Sequence, residues 1–417
     1  MRRTLQLQKG ISAKQKNRTL SPKFIPLSYQ KFRADFLFTG TEMLGSHHVV
    51  ITNEQGIIQS IVPAEEAGEG VQYFEGLLSP GFINTHCHLE LSHMRGLLPE
   101  HTGLVDFVFN VVTQRHQTEE EILEAIARAE DEMLTNGIVA VGDICNNGIT
   151  CPQKQKGRLR YYNFIETMGW LHSIAPQRFE TAQKVHSIFS EMPSAIVPHA
   201  PYSVSQELWH LIEPGFSNSV ISMHNQETAD ENTFFLNGGG DFNRMYQLMK
   251  LDNSFFQPSG KTSLQTVAKH FVTAKNVLLV HNVFTNEEDI QFISDQSKQY
   301  DQQFFYCFCV NANTYIQNAT PPIELMRRSR CNITLGTDSL ASNWSLSLLD
   351  EIKAIRLKFP NIPTQELLQW ATCNGAAALS LHEELGSFSV GKKPGVILIS
   401  SLEKGEISPS SSVKRLL

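Results

Sequence analysis

The stretch "LLSPGFINTHCHLELS", residues 77–92, runs an apolar segment into two histidines one residue apart, His86 and His88. Successive residues of a β-strand point to opposite faces, so both imidazoles project to one side and Cys87 to the other. Two imidazoles on one face supply half of a metal site, because catalytic zinc usually has three protein ligands and an open position for water. The stretch therefore predicts the first strand of a fold that carries a metal at its strand ends.

Seven further apolar, β-rich segments follow, and helical patterns separate them. These segments are "GIVAVGDI" (137–144), "RYYNFIET" (160–167), "SAIVPHA" (194–200), "SVISMHN" (219–225), "NVLLVHN" (276–282), "QFFYCFCV" (303–310) and "NITLGTD" (332–338). The helical pattern is clearest at 119–134, where apolar positions recur at helical spacing. Eight buried strands that alternate with helices predict an α/β fold, a (β/α)8 TIM barrel. The rival fold, an open doubly wound sheet, is disfavoured because no GxGxxG motif follows any of these strands.

The two ends of the chain differ from this alternating middle. Residues 34–76 contain short β-like segments separated by Gly, Asn and Pro, and residues 384–417 have the same character. Neither end can bury its apolar face alone, so the sequence predicts one small, β-sandwich-like domain built from both, with the barrel at 77–383. Residues 1–33 contain nine Lys or Arg and no Asp or Glu, which predicts a disordered basic tail or a misplaced start codon.

Polar side chains gather where the predicted strands end. In a barrel of this type, chemistry takes place where strands end and loops begin. The residues at those positions are His86, His88, Asp143, Glu166, His199, His224, His281 and Asp338. Taken singly, each is equally well explained as a structural histidine or a loop carboxylate. Together they predict a metal site in which His224 and Asp338 complete the ligand set that His86 and His88 begin.

The motifs that hold these residues resemble the amidohydrolase superfamily, in its single-metal branch of deaminases and chlorohydrolases. They are "PGFINTHCH", "PHAPYS" (198–203), "HNQE" (224–227), "HN" (281–282) and "GTDS" (336–339). The resemblance implies four metal ligands: His86, His88, His224 and Asp338. It also implies that Glu227 shuttles protons and that His281 steadies the attacking hydroxide or the tetrahedral centre. Asp338 is expected to accept the proton of water as well.

One divalent metal ion is the expected cofactor. A bound ion lowers the pKa of its water to roughly 7 and so provides hydroxide at neutral pH. Zinc is the expected ion, with Fe2+ or Mn2+ as alternatives, because imidazole-rich sites accept all three. Two-metal relatives usually bridge their ions with a modified lysine at the end of the fourth strand. This chain has His199 there and no lysine, which favours a single ion.

The segments "NTHCHLELSHMRG" and "TGLVDFVFNVVTQR" resemble aminodeoxyfutalosine deaminases, a purine-deaminating group of the superfamily. The resemblance implies release of ammonia from an amino-substituted purine-like heterocycle or nucleoside, with aminodeoxyfutalosine as one candidate. Glu90, His199 and Trp344 are predicted to bind the substrate, although each also has a purely structural interpretation. Residues 228–250 predict either a mobile lid over the pocket or an ordinary surface excursion with a helix.

Two alternative functions stay open at this point. A chlorohydrolase or cyclic amidohydrolase acting on a related heterocycle would use the same metal chemistry. A non-catalytic assembly protein would be expected to have lost a ligand or Glu227, and all of these residues are present.

Bulk composition limits the partners. The net charge of −7 disfavours general nucleic-acid binding, and no apolar run approaches the roughly 20 residues that span a bilayer. Seven cysteines without CxxC pairing predict reduced thiols and a cytoplasmic location. The partner is therefore expected to be a small-molecule substrate, and exposed barrel helices suggest a homodimer.

Overall fold

The computed structural model describes residues 29–417. The strands in this range are β1 (Tyr29–Phe38), β2 (Met43–Gly45), β3 (His48–Asn53), β4 (Ile58–Pro63), β5 (Val71–Ser79), β6 (Phe82–Cys87), β7 (Ile138–Cys145), β8 (Arg160–Thr167), β9 (Ser194–Pro198), β10 (Val220–Asn225), β11 (Asn276–His281), β12 (Gln303–Phe308), β13 (Asn332–Leu335), β14 (Ile397–Ser400) and β15 (Ser412–Arg415). The eight segments predicted as strands of the alternating region each overlap one of β6 to β13.

The α-helices are α1 (Leu104–Gln114), α2 (Glu119–Thr135), α3 (Cys151–Lys154), α4 (Ala175–Ile188), α5 (Gln206–Ile212), α6 (Ala229–Asn237), α7 (Phe242–Leu248), α8 (Ser263–Val267), α9 (Glu287–Tyr300), α10 (Val310–Gln317), α11 (Ile323–Arg328), α12 (Leu348–Lys358), α13 (Thr364–Ala371) and α14 (Cys373–Ala378). Helix α2 confirms the pattern at 119–134, and a reciprocal capping box of Thr118 and Glu121 fixes its start. Across residues 29–417, no helix is both long and apolar enough to cross a bilayer.

Two parallel sheets form the centre of the fold. Strands β6 to β9 pair in sequence order, and so do β10 to β13. Every residue of β7, β10 and β11 is buried, as expected for parallel strands covered on both faces. The chain therefore has the predicted α/β fold with parallel sheets.

Backbone hydrogen bonds join the two parallel sheets at both of their edges. The His224 N–H donates to the His199 carbonyl over 2.9 Å, which connects β10 to the end of β9. The Asp338 N–H donates to the His86 carbonyl over 3.0 Å, which connects the loop after β13 to β6. Side chains that follow all four strands are therefore held at one common rim.

A separate seven-stranded sheet contains strands from both ends of the described chain. Its order is β15-β14-β5-β1-β3-β4. Strand β2 pairs with residues 36–38 of β1, beyond the residues of β1 that pair with β3. Strand β14 lies antiparallel to β5, with Leu398 opposite Leu78. Phe32 and Leu37 of β1 are buried with these two leucines in one apolar cluster. The two chain ends thus share a core that neither could form alone.

Two predicted boundaries are wrong. Strand β1 begins at Tyr29, so residues 29–33 belong to a strand rather than to the predicted basic tail; Phe32 is buried and holds this segment on the sheet. Residues 1–28 of that tail lie outside the described residues. The segment predicted as the first barrel strand is also divided. Leu77 to Ser79 pair with β14 in the seven-stranded sheet, and β6 begins only at Phe82. Pro80 lacks the N–H that would continue the pairing.

Candidate metal and catalytic site

The histidine pair His86 and His88 lies at the end of β6 and projects into a cluster of donor atoms. His86 Nε2 and His88 Nε2 are 3.2 Å apart, and His88 Nε2 is 3.3 Å from His224 Nε2. Asp338 Oδ1 lies 3.5 Å from His86 Nε2 and 3.4 Å from His88 Nε2. The four residues predicted as ligands are therefore brought together. His281 lies there as well, and its donor atom is within 4.8 Å of those of His86, His224 and Asp338.

The position of Asp338, the carboxylate of this cluster, depends on a close approach of two strands. A Cβ atom at Gly336 would lie 2.9 Å from His86 Cβ and 2.8 Å from Cys307 Sγ, so only glycine fits there. Two residues later, Asp338 adopts a φ of 58°, in the left-handed region. The Ser342 hydroxyl donates to Asp338 Oδ2 over 2.6 Å, which leaves Oδ1 facing the imidazoles. Strained backbone at a buried polar residue is typical of functional sites.

Hydrogen bonds to the backbone and to an amide orient two of the imidazoles. His224 Nδ1 donates to the His199 carbonyl over 2.9 Å, which leaves the Nε2 lone pair facing the cluster. His281 Nδ1 lies 2.9 Å from Asn313 Oδ1, and His281 has a φ of 75°. Such partners on the far nitrogen fix both the ring orientation and the tautomer of a metal-binding histidine.

The protonation states of the side chains in this cluster suit the binding of a cation. Burial lowers the pKa of His88 to about 3 and that of His281 to about 4, and it lowers that of His224 well below its ordinary value. Burial alone would raise the pKa of Asp338, but the hydrogen bond from His86 and the other imidazoles hold it well below its usual range. Burial alone would also lower the pKa of His86, but its hydrogen bond to Asp338 raises it, so His86 has to release that proton when an ion binds. Neutral imidazoles beside an ionised carboxylate are the donor set that a divalent transition metal requires. The residues present therefore fit such an ion.

Glu227 lies beside this donor cluster as a buried carboxyl group. Its Oε1 is 3.6 Å from His281 Nε2, and its backbone carbonyl accepts a hydrogen bond from Gln317 Nε2. Burial raises the pKa of Glu227 well above its ordinary value, and the charges of Asp338 and Glu231 raise it further. A carboxyl group in this environment can hold a proton at neutral pH and release it to a neighbouring base.

A cavity of about 110 Å³ opens onto the cluster. Its lining includes His88, Glu90, Glu166, His199, His224, Glu227, His281 and Asp338, with Leu104, Phe107 and Val108 on its apolar side. A second cavity of about 370 Å³ shares eight of its lining residues, His199 and Tyr202 among them. An apolar slot with a few polar groups at one end is typical of a small-molecule site.

The model of the amidohydrolase family matches residues 77–412, which include every residue of this cluster. The chain belongs to the amidohydrolase family. An adenosine deaminase from Helicobacter pylori is 29% identical to it over 346 residues, which cover 80% of this chain and 81% of that protein. An aminodeoxyfutalosine deaminase from Nitratiruptor sp. is 26% identical over 341 residues, 78% of each chain.

A solved structure shares the fold of this amidohydrolase. The crystal structure of Helicobacter pylori aminofutalosine deaminase in complex with methylthio-coformycin matches it with a TM-score of 0.74 and 24% sequence identity. The match covers 90% of this chain and 93% of that one. It shows that the two chains fold alike over nearly their whole length.

Two of the predicted substrate-binding residues line the cavity of this amidohydrolase, and the third does not. Glu90 accepts a hydrogen bond from the Asn146 N–H over 3.0 Å, and burial raises its pKa to about 7. His199 is fixed by Ser203 Oγ, 2.9 Å from its Nδ1. Trp344 is 49% exposed and lies outside both cavities. Its indole N–H donates to Glu100 over 2.9 Å, so the structure does not place Trp344 with the other two predicted substrate contacts.

The segment 228–250 forms part of the wall of the second cavity, through Met245, Tyr246 and Met249. Helices α6 and α7 occupy most of it, and Phe234, Phe242 and Tyr246 are buried in an apolar cluster with Trp170 and Tyr202. The Tyr246 hydroxyl donates to the Tyr202 carbonyl over 2.5 Å. The segment is therefore more than a surface excursion, and its motion as a lid stays a prediction.

Asp143, predicted at the rim, faces a buried lysine instead of the donor cluster. Lys154 Nζ lies 2.5 Å from Asp143 Oδ2, and both side chains are fully buried. Asp143 Oδ1 accepts the Leu89 N–H over 2.8 Å, directly after His88. The pair therefore secures the loop that carries the second histidine. This role of Lys154 was not predictable from the sequence, because a single lysine in a short helix is usually a surface residue.

Replacing Lys154 with methionine should destabilise the protein strongly. The change leaves the Asp143 carboxylate buried without its cation, which costs about 3–5 kcal/mol. The free energy of unfolding in urea, followed by circular dichroism, measures this loss. Lys184→Met is the matched control, because Lys184 pairs with Glu180 on the exposed face of α4 and should leave the unfolding midpoint nearly unchanged. Equal midpoints for the two variants would contradict this account of Asp143.

Proposed function

We propose that this amidohydrolase is a metal-dependent hydrolytic deaminase of an amino-substituted purine-like heterocycle or nucleoside, with aminodeoxyfutalosine as one candidate. The observation that carries the proposal is the placement of one buried carboxyl group, Glu227, beside an imidazole–carboxylate donor cluster in a mainly apolar cavity. The deaminase names of the similar proteins from Helicobacter pylori and Nitratiruptor support it.

His86, His88, His224 and Asp338 would hold one divalent ion, and zinc is the proposed metal, with Fe2+ or Mn2+ as alternatives. When bound, such an ion supplies Lewis acidity that lowers the pKa of a water molecule to about 7. Burial keeps His88 and His224 neutral and Asp338 is already ionised, whereas the proton that Asp338 favours on His86 would have to leave before that imidazole could bind the ion.

Glu227 moves the protons of the reaction. Deamination adds water to the ring carbon that bears the amino group, and the adjacent ring nitrogen must gain a proton at that step. A carboxyl group kept protonated by burial can donate it. The resulting carboxylate then takes a proton from the added hydroxyl group and delivers it to the departing amine. Asp338 would accept the proton that water loses as it attacks, and the return of that proton to Glu227 completes the cycle. Carbon gains an oxygen, the C–N bond breaks, and ammonia leaves.

The remaining polar groups would hold and orient the substrate. The neutral His281 imidazole, held by Asn313, lies 3.6 Å from Glu227 Oε1 and can steady the tetrahedral centre. Glu90 and His199 line the same cavity and are the proposed contacts for ring or sugar groups of the substrate. The apolar wall formed by α1, with Leu104, Phe107 and Val108, would exclude water from the reacting ring.

We also propose that the two parallel sheets close into a single (β/α)8 barrel, because backbone hydrogen bonds connect both pairs of edge strands. The seven-stranded sheet would then be the composite domain of the two chain ends. A homodimer and a cytoplasmic location stay predictions; free thiols at all seven cysteines are consistent with the second.

Release of ammonia from a panel of aminopurine nucleosides and bases tests the proposed reaction. The zinc-loaded protein should liberate ammonia from at least one adenine-type nucleoside. Chlorinated triazines and cyclic amides belong in the same panel, because the alternative functions predict chloride release or ring opening. Chloride without ammonia would contradict the deaminase and favour the chlorohydrolase.

A further inference from the structure

The chain turns sharply between the predicted ligand His224 and the proposed proton shuttle Glu227. Regular strand alternation would point residues 224 and 226 to the same face. Instead, His224 and Glu227 both line the cavity, and Gln226 is fully buried outside it. The alternation breaks at Gln226, whose φ of 46° lies in the left-handed region that side chains other than glycine rarely adopt. Contacts from neighbouring side chains must therefore hold Gln226 in this conformation.

A buried carboxylate four residues after Glu227 holds the turned backbone. Glu231, in the first turn of α6, has no exposed surface. Its Oε1 accepts the Gln226 N–H over 2.9 Å, and its Oε2 accepts the Glu227 N–H over 3.4 Å. Glu231 lies outside the linings of both cavities. One side chain therefore holds two successive amides and orients the residue that follows the turn, without reaching the substrate itself.

Side-chain hydrogen bonds fix Gln226 from the opposite direction. The Thr285 hydroxyl donates to Gln226 Oε1 over 2.6 Å. Gln226 Nε2 donates to Asp289 Oδ2 over 2.7 Å and to Asn232 Oδ1 over 3.0 Å. These partners lie on and before α9 and on α6, so two helices outside the cavity secure the strained residue. The network is buried except at Asn232, which is half-buried, and buried networks specify a single arrangement of the groups they join.

We infer that Glu231 is a positioning residue, which holds the backbone of Gln226 and Glu227 so that the Glu227 carboxyl group faces the donor cluster. The inference rests on the proposed function for its effect on turnover, but the geometry it describes does not depend on the substrate. Without the Glu231 acceptor, Gln226 would relax out of the left-handed region and Glu227 would leave its position beside His281.

Glu231→Gln is the main test. The amide keeps the shape and one acceptor oxygen, but its NH2 group opposes one of the two backbone N–H groups. We expect kcat to fall roughly 10- to 100-fold, because small displacements of a proton-transfer group have effects of that size. KM and zinc content should stay within about twofold of the wild-type values, since neither substrate nor metal contacts Glu231.

Two further variants separate positioning from general destabilisation. Glu130→Gln changes an equally buried carboxylate on α2, remote from the cavity, that accepts hydrogen bonds from Tyr161 and Gln153. It should lower the thermal midpoint to a similar degree and leave kcat unchanged. Thr285→Val removes only the hydroxyl group that donates to Gln226 and should lower kcat in the same direction as Glu231→Gln, by less. It serves as the test if Glu231→Gln does not fold.

A crystal structure of Glu231→Gln, or of Thr285→Val in its place, decides the geometry independently of activity. Displacement of the Glu227 carboxyl group from His281 supports the inference, even if no substrate in the panel is turned over and the proposed function fails. An unmoved Glu227 overturns the inference. A wild-type kcat in Glu231→Gln, with an active wild-type enzyme as reference, overturns it as well and leaves the deaminase proposal intact.

Discussion

Glu227→Gln is expected to remove ammonia release almost completely and to leave the metal content unchanged. Glutamine has the shape of a protonated glutamate but cannot transfer its proton. General acid–base catalysis by a positioned side chain contributes about 10²- to 10⁴-fold, and Glu227 is proposed to act in two proton transfers. We therefore expect kcat to fall toward the upper end of that range. Steady-state kinetics of ammonia release, with zinc measured by mass spectrometry on the same samples, give both values.

A matched control for this variant is Glu166→Gln. Glu166 is a buried carboxyl group in the same cavity, and burial raises its pKa to about 7. Its Oε2 accepts a hydrogen bond from the Asn146 amide over 3.1 Å, which glutamine can retain through its own oxygen. Because Glu166 has no proposed role in proton transfer, Glu166→Gln should lose far less activity than Glu227→Gln. Full activity of Glu227→Gln would refute the assignment of the proton shuttle.

Asp338→Asn is expected to empty the metal site and abolish turnover. The asparagine tolerates the left-handed backbone at this position, so the variant removes the charge without adding strain. The remaining donors would be neutral imidazoles. Loss of a hydrogen bond to a metal ligand lowers metal affinity by roughly 10- to 100-fold, and loss of the ligand itself should lower it further. Metal titration by calorimetry and ammonia release measure the two effects.

Ser342→Ala provides the graded comparison for Asp338→Asn. Ser342 donates to the Asp338 oxygen that faces away from the imidazoles, so its loss loosens the carboxylate but leaves its charge. Metal affinity should fall by about 10- to 100-fold, less than in Asp338→Asn. Metal bound by Asp338→Asn as tightly as by the wild-type protein would show that Asp338 is not a ligand.

The elements of the alternating region were predictable because each strand carries a local apolar signal, and every strand except β12 also has a polar residue where it ends. Segments such as 160–167 and 303–310 show this signal without any tertiary information, and β8 and β12 lie within them. The convergence of His86, His224 and Asp338 followed from one rule, that parallel strands of one barrel present their carboxyl ends at one rim. The family membership was predictable from the same residues and is confirmed by the match over 77–412.

Features that depend on distant partners were not predictable. Residues 77–79 were predicted as the start of β6 because their apolar pattern continues into that strand. Only their pairing with β14 in the other sheet separates them from β6. Trp344 follows Asp338 closely in sequence, but its position depends on Glu100, more than 200 residues away in the chain. Glu231 lies in the first turn of a helix, where acidic residues are common because they interact favourably with the helix dipole. Its hydrogen bonds to two backbone amides were therefore not predictable from the sequence.

Removal and restoration of the bound metal tests whether ammonia release depends on a single ion held by the imidazole–carboxylate cluster. The full chain, as purified, is dialysed against a chelator, and ammonia release and metal content are measured before dialysis, after it and after titration with zinc, while circular dichroism confirms that the protein stays folded. Activity should disappear with the metal and return in proportion to it, up to one ion per chain. A folded, metal-free preparation that releases ammonia as fast as the untreated enzyme would contradict it.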